Sequence, residues 1–414
     1  MNGHASDFKV LIVGAGIAGL ALAQILRKHD IAFEIFERDD GSRVGGWSVG
    51  LDDCLADLQA LLPTDLTPLK QTSPSYSNGK KDSYAFLNGL TGDVLGHVTA
   101  GDGGRDFISC DRDLLRKILS KNLSVQYSKR LHHFSQSSSG VTLHFTDNST
   151  ATGSILVGAD GARSAVRAQL LPDVQAVPSR CIMLYGSVQL SATDSEPMIS
   201  KANTATLLGA PRMKSFLMLD RHNSDGTAEW NWGIARLCSV EEAEGKHAWV
   251  QGASAEELHD QAMEWCQDSP EWFRHCIQLS GPKGVHTPPI TLRETVIPSD
   301  QLPDGLVTLM GDAAHSMVPF RGMGANTALR DACELGVALS QHAAHHAAAA
   351  AAPNPNAADS EEQHPQLQQI LRAYERKMLP RGREHVLLSR ADAEADDHID
   401  LSGGRLEKKQ AAGG

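Results

Sequence analysis

Apolar positions along this chain follow two periods. Val10-Leu11-Ile12-Val13 form an unbroken, mostly β-branched run, as in a strand covered on both faces. Glycines interrupt it, and residues 17–28 then read as a helix, followed by a second strand over 32–36. Leu51, Leu55, Leu58 and Leu62 are spaced as the apolar face of a helix that Pro63 stops. Leu114, Leu115, Ile118 and Leu119 predict another, capped by Ser109 or Asp111. Alternation predicts β-structure over 124–154, with a turn at 137–140, and a hairpin around Asn88-Gly89 and Thr91-Gly92. Short buried strands at 155–157 and 306–310 each end in a polar turn, Gly158-Ala159-Asp160-Gly161 and Gly311-Asp312. Strands at 185–190, 204–208, 215–219 and 230–237, then a helical segment over 240–276, predict an antiparallel sheet with helices to one side. A long helix begins near Ala325, and an amphipathic helix over 367–389 closes the fold.

The glycines after the first strand add chemistry to this pattern. Gly14, Gly16 and Gly19 stand as G-x-G-x-x-G between a strand and a helix. In that setting the first permits a tight turn, the second lets backbone approach a pyrophosphate, and the third lets helix pack on strand. The following helix presents its N-terminal N–H groups to an anion. Glu37 ends the second strand eighteen residues past Gly19, placed to accept from ribose hydroxyls, and Arg38 follows it. Arg112 lies in the first turn of its helix, where a cation opposes the helix dipole; this favours pairing with a phosphate. The loop with Pro319, Gly322 and Gly324 leads into a further helix N-terminus, so two such sites would hold an extended ligand at both ends.

Composition narrows the partners. A net charge of −12 argues against nucleic acid and acidic membranes. Seven scattered cysteines, with no C-x-x-C, predict a reducing compartment and a cytoplasmic location. The opening MNGHASD lacks the pattern of a secretory signal, and no apolar run is long enough for a membrane anchor. His132 and His133, adjacent on a strand, are expected on opposite faces. His342, His345 and His346 have helical spacing, but no carboxylate or cysteine joins them, so low complexity is preferred and no metal is expected. Trp230 and Trp232 share a strand face, either walling an aromatic pocket or packing the sheet.

Three stretches, GAGIAG with Glu37-Arg38, GADGARSAVR at 158–167 and GDAAHSMVPFRGMGAN at 311–326, together resemble the class A flavoprotein monooxygenases of the para-hydroxybenzoate and salicylate hydroxylase type. The stretches around them look most like fungal members acting in secondary metabolism. The resemblance implies an α/β fold: a glutathione-reductase-like, Rossmann-type FAD-binding domain, an inserted antiparallel β-sheet substrate domain and a C-terminal helix. It implies FAD and NAD(P)H as cofactors, with Gly14, Gly16, Ala18, Gly19, Glu37 and Arg38 on the ADP half. Arg112 would reach the pyrophosphate or ribityl region, Gly50 would make a weaker backbone contact, and Asp160 would link the flavin and nicotinamide sites. Asp312 would bond the ribityl chain, while Pro319, Gly322, Met323, Gly324 and Ala325 would frame the isoalloxazine. Many fungal relatives carry an arginine where Tyr185 aligns, so Tyr185 and the nearby Arg180 are the candidate catalytic side chains.

The implied reaction uses O2 to hydroxylate or epoxidise an aromatic or polycyclic small molecule through a flavin C4a-hydroperoxide, in a monomer or homodimer. Two alternatives stand beside it. One is a flavin-dependent halogenase, since Trp230-Asn231-Trp232-Gly233-Ile234 approaches W-x-W-x-I-P, with Ala235 where proline should be. The other is a flavin-binding protein without monooxygenase activity. The expected partition is an FAD-binding domain over 1–75, 98–171 and 286–345, and a substrate domain over 76–97 and 172–285. A low-complexity loop at 346–364, a C-terminal helix at 365–390 and a mobile tail at 391–414 complete it.

Overall fold

The computed structural model describes residues 8–42, 46–104, 106–138, 140–239, 247–289, 291–300, 302–350 and 360–395. The readings of the N-terminal segment at 1–7, of the helix start at 240–246, of the low-complexity stretch at 351–359 and of the tail at 396–414 lie outside the described residues.

The strand Lys9–Val13 sits at the centre of a five-stranded parallel sheet. On one side it pairs with Ala32–Phe36, which pairs in turn with Val125–Gln126. On the other it pairs with Ile155–Gly158, then Val307–Leu309. The apolar runs explain this placement, since Val10, Leu11, Ile12, Ile155, Leu156 and Val157 are all fully buried. The helix Ile17–Lys28 packs on the long helix Met323–Ala350. Gly336 allows the close approach: a Cβ there would lie 2.7 Å from Ile25 Cγ2.

A six-stranded sheet forms the second layer. Cys181–Leu190, Ala228–Leu237, Met213–His222 and Ala205–Ala210 run antiparallel in that order. The hairpin Ser83–Asn88 and Val94–Thr99 then extends the sheet, but its first strand runs parallel to Ala205–Ala210. The sheet is therefore mixed rather than purely antiparallel, because its last two strands come from far earlier in the chain. The helices Ala255–Trp265 and Glu271–Gly284 cover one face. A capping box, Ser254 with Glu257, starts the first of them.

Several expectations are corrected by this arrangement. Leu51 belongs to a strand, Val49–Leu51, paired with Ile108–Cys110, and the helix is only Leu55–Leu61. Leu51, Leu55, Leu58 and Leu62 nevertheless bury into one core, which is why their spacing looked like a single helix. Asp111, not Ser109, caps the helix Arg112–Ser120, accepting from the N–H groups of Asp113 and Leu114 at 2.8 and 3.0 Å. His132 and His133 do not face apart. A register shift between Leu131 and His133 brings their Nδ1 atoms to 2.9 Å, and His133 stacks on His144.

The expected loop at 346–364 is helical at both ends. The preceding helix runs to Ala350, and the last helix spans Ser360–Glu394. Residues 391–394 are thus helix rather than tail. Asp392 pairs with Arg321, Glu394 with Arg180, and Ala393 is buried. Among the described residues no helix is long and apolar enough to cross a membrane.

Candidate functional site

Four loops leave the carboxyl edge of the parallel sheet side by side, following Val13, Phe36, Gly158 and Leu309. Ligands bind at such edges because the loops there are free to shape a crevice. A cavity of about 470 Å³ opens between these loops and the uncovered face of the six-stranded sheet.

The first loop turns sharply. Gly14 has φ +113°, its N–H donates to Phe36 O at 2.7 Å, and a Cβ there would lie 2.2 Å from Ala159 O. Gly19 packs beneath, where a Cβ would lie 2.1 Å from Gly14 O. Gly16 differs: it caps the helix with ordinary φ, lines the cavity, and a Cβ on it would meet nothing within 4 Å. The first and third glycines therefore serve the protein's own packing, and the second leaves room for a ligand. Glu37 accepts from Ala15 N–H at 2.8 Å and Asp39 N–H at 3.1 Å, which fixes its carboxylate at the cavity edge. Arg38, Lys129 and Arg130 line the same end, a basic setting for phosphate or adenosine oxygens.

The loop after Gly158 is tied by Asp160. Its carboxylate accepts from Ser164 Oγ at 2.5 Å and from the N–H groups of Ala165 and Val166 at 2.6 and 3.3 Å. Burial holds its pKa above the usual carboxylate value, against the pull of these donors. Arg167, buried, donates to Ala313 O and Ala162 O, each at 2.7 Å, and so clamps this loop to the Gly311-Asp312 loop.

The third stretch is anchored from below. Asp331 is fully buried and accepts from Gly311 N–H at 2.9 Å and Arg381 at 2.8 Å. It also meets His315 Nε2 at 2.6 Å. Burial would lower the His315 pKa, but Asp331 more than offsets it, and the net direction is up. Gly382 makes room for the imidazole, since a Cβ there would lie 2.5 Å from His315 Cδ2.

Asn326 is fully buried and does similar work at the next turn. Its amide donates to Gly50 O at 2.8 Å and Gly322 O at 3.1 Å, and its oxygen accepts from Asp52 N–H at 3.0 Å. Asn326→Ala should remove all three of these bonds and destabilise the fold by about 3 kcal/mol, read from chemical denaturation.

Of the residues expected at the cofactor, Gly14, Gly16, Ala18, Glu37, Arg38, Gly50, Arg112, Asp160, Asp312, Pro319, Gly322, Gly324 and Ala325 all line this one cavity. Gly46 makes room for Arg112, whose Nη1 lies 3.3 Å from where a Cβ would stand. Gly19 and Met323 are not among the lining residues. Nor are the two expected catalytic side chains. Tyr185 lies behind Trp47, edge-on at 5.5 Å, and stacks on His286 at 4.5 Å. Arg180 donates to Cys238 O at 3.1 Å and pairs with Glu394 at 3.4 Å, a strut to the last helix.

Trp230 and Trp232 take the packing alternative. Both are fully buried on the helix-covered face, donating to Ser195 Oγ and Ser280 Oγ at 3.1 and 3.0 Å. His342 packs against Phe8 and His346. Among the described residues no group of three or more His, Cys, Asp or Glu could hold a metal.

The residues fit an extended dinucleotide. A Cβ on Gly16 would meet nothing within 4 Å and one on Gly324 only Met317 Cγ at 3.9 Å, and loops that follow Val13, Phe36, Gly158 and Leu309 converge on one crevice lined by both Glu37 and Asp312. Comparison with known proteins agrees. Residues 97–365 match the FAD binding domain family, and residues 12–53 match an NAD(P)-binding Rossmann-like domain. The FAD-dependent monooxygenase thnD of Trichoderma harzianum is 32% identical over 395 residues, covering 92% of each chain. The FAD-dependent monooxygenase phnB of Penicillium herquei is 27% identical over 414 residues, covering 92% of this chain and 89% of that one. Among solved structures, a putative FAD-containing monooxygenase from Photorhabdus luminescens superposes with a TM-score of 0.72 at 24% identity, covering 95% and 99% of the two chains. A salicylate hydroxylase substrate complex superposes at 0.67 with 21% identity, covering 97% and 91%.

Proposed function

Because the chain belongs to the FAD-dependent monooxygenases, we propose that it takes reducing equivalents from NAD(P)H and one oxygen atom from O2 to hydroxylate an aromatic or polycyclic small molecule. One observation carries this reading: a single cavity joins the strand-end loops of the parallel sheet to an apolar sheet face lined by Met183, Leu207, Phe216 and Met218. Bound FAD supplies the reduction and the activation of O2.

The chain's own residues do the rest. Glu37, held by two backbone N–H groups, offers its remaining lone pairs to ribose hydroxyls. Gly16 and the helix behind it offer N–H groups and the positive end of a dipole to the pyrophosphate, with Arg112 as the charged partner. The helix beginning at Met323 directs the N–H groups of Gly324 and Ala325 at the cavity, where they would stabilise negative charge on a reduced ring system. Trp47, Phe216 and Phe320 pack into one cluster around the substrate end and exclude water there. A protein nucleophile is not required.

The test is consumption of NADPH and NADH by the purified protein at controlled O2, with a panel of polycyclic phenols. The expected result is oxidation that requires O2, is stimulated by some members of the panel, and yields an oxygenated product without added halide. Failure of both nicotinamides to reduce the bound flavin with every one of these ligands would favour a silent flavin-binding protein.

A further inference from the structure

The irregular pairing in the three-stranded sheet leaves a side-chain cluster that the cavity does not use. Leu131–Ser137 pairs with Gly140–Phe145, and between Leu131 and His133 it carries one residue more than its partner. Such a bulge turns two consecutive side chains to one side, where plain alternation would part them. Leu131 and Phe134 are buried, and His132 and His133 between them are both exposed. Their Nδ1 atoms lie 2.9 Å apart, with the rings nearly perpendicular at 79°. His144 backs His133 with a parallel ring at 4.3 Å, and Ser135 Oγ lies 3.4 Å from His144 Nε2. The pair follows directly on Lys129, Arg130 and Leu131, which line the cavity, but neither histidine lines it.

Two imidazole nitrogens at this separation suit one metal ion. With metal–nitrogen bonds of about 2.0–2.1 Å, two ligands at right angles stand about 2.9 Å apart. Right-angled positions belong to tetragonal ions such as Cu2+ and Ni2+, and Cu2+ stands highest in affinity among the divalent first-row metals. At neutral pH an exposed imidazole is mostly uncharged and carries one nitrogen lone pair free to ligate. We propose that His132 and His133 form a two-nitrogen chelate for a divalent late transition metal, Cu2+ above the others, with water completing its coordination. Without the metal, one Nδ1–H donates to the other Nδ1 across the 2.9 Å gap. On binding, both Nδ1 lone pairs go to the metal, and the proton between them moves to Nε2 of the ring that carried it. No proton is lost, and no electron is transferred. A chain charge of −12 favours a cation at its surface. Among the described residues no group of three ligands is assembled, so the site is open and exchangeable rather than a closed structural one.

The test is a calorimetric titration of the purified, untagged full chain with Cu2+, joined to electron paramagnetic resonance of the loaded protein. The wild type should hold one Cu2+ that His132→Ala and His133→Ala each lose, and the signal that disappears should carry the splitting of two nitrogen ligands. A single remaining imidazole forfeits the chelate, so affinity at this site should fall about a hundredfold. His144→Ala should keep the site, because its ring supports His133 without ligating. Both ligand rings are exposed, so the two variants should melt as the wild type does. If His132→Ala and His133→Ala take up Cu2+ as the wild type does, the assignment is wrong. Loss of the site in His144→Ala, as complete as in the other two, would also overturn it. The readouts involve neither flavin nor turnover, so the outcome is independent of the monooxygenase reading.

Discussion

Replacing Gly14 with alanine is expected to give a protein that purifies without flavin. Two costs coincide at this position. Its φ of +113° is one that an L side chain rarely adopts, and the added Cβ would meet a backbone oxygen, Ala159 O, at 2.2 Å. Backbone cannot swing aside as a flexible side chain can, so the loops after Val13 and Gly158 must separate. Those two loops line the cavity side by side. FAD affinity should fall by about a hundredfold or more, and thermal stability should fall with it. Gly16→Ala is the informative control. Its φ is −74° and a Cβ finds open space, so the protein should unfold as the wild type does. Its affinity for FAD should still drop by about tenfold, because the methyl group projects where the ligand's backbone contact forms. Flavin content and a melting curve on the two variants separate the packing glycine from the binding glycine.

Asp331→Ala should produce the largest loss of stability, about 3–5 kcal/mol, because it strips the partner from a buried charge. Asp331 accepts from Arg381, His315 and the Gly311 N–H, and all three lie against the loop that carries Asp312. A domain is held by about 5–15 kcal/mol in total, so this variant should be close to unfolding in the warm and should bind FAD weakly if at all. The same pair sets a pH dependence. Asp331 raises the His315 pKa above its ordinary value, so the folded state holds the proton more tightly than the unfolded chain does. That stability is fully present below about pH 6.5 and is lost as pH rises through the raised folded value. Asp331→Asn should remove this component of the slope, measured as denaturation midpoint against pH across the neutral and mildly alkaline range.

Much of the fold was legible because local and global signals agreed. The helix Ile17–Lys28 and the strand Ala32–Phe36 fall where the apolar pattern and the glycines place them. The strand-end loops were legible for the same reason, and thirteen of the expected cofactor residues line one cavity. What stayed hidden depends on partners distant in sequence. Leu51 joins a strand because Ile108 pairs with it, and nothing in the spacing of the leucines reveals that. The shift between Leu131 and His133 is a property of two strands together, so alternation along one of them misplaced the histidines.

The anchors beneath the site were equally invisible. Asn326 reaches 276 residues back to Gly50, and Arg381 reaches 50 residues back to Asp331. In sequence both look like ordinary polar positions on helices. Lys214 stands one residue before the strand expected at 215–219, and nothing in that run marks it as buried. Only the second sheet's position over the loops makes it interior. Tyr185 and Arg180 came forward from the resemblance alone: Tyr185 packs against the lining residue Trp47 and Arg180 braces the last helix, and neither is among the lining residues.

The account rests on one FAD lying between the Gly14–Glu37 end and the Asp312–Ala325 end of a single crevice. The most direct measurement is the flavin released on denaturing the purified, dialysed protein, quantified against chain concentration for the wild type, Glu37→Ala and Asp312→Ala. The prediction is one FAD per wild-type chain and substoichiometric flavin in both variants, each still folded by circular dichroism. Wild-type protein that holds no flavin, or full occupancy in both variants, would contradict it.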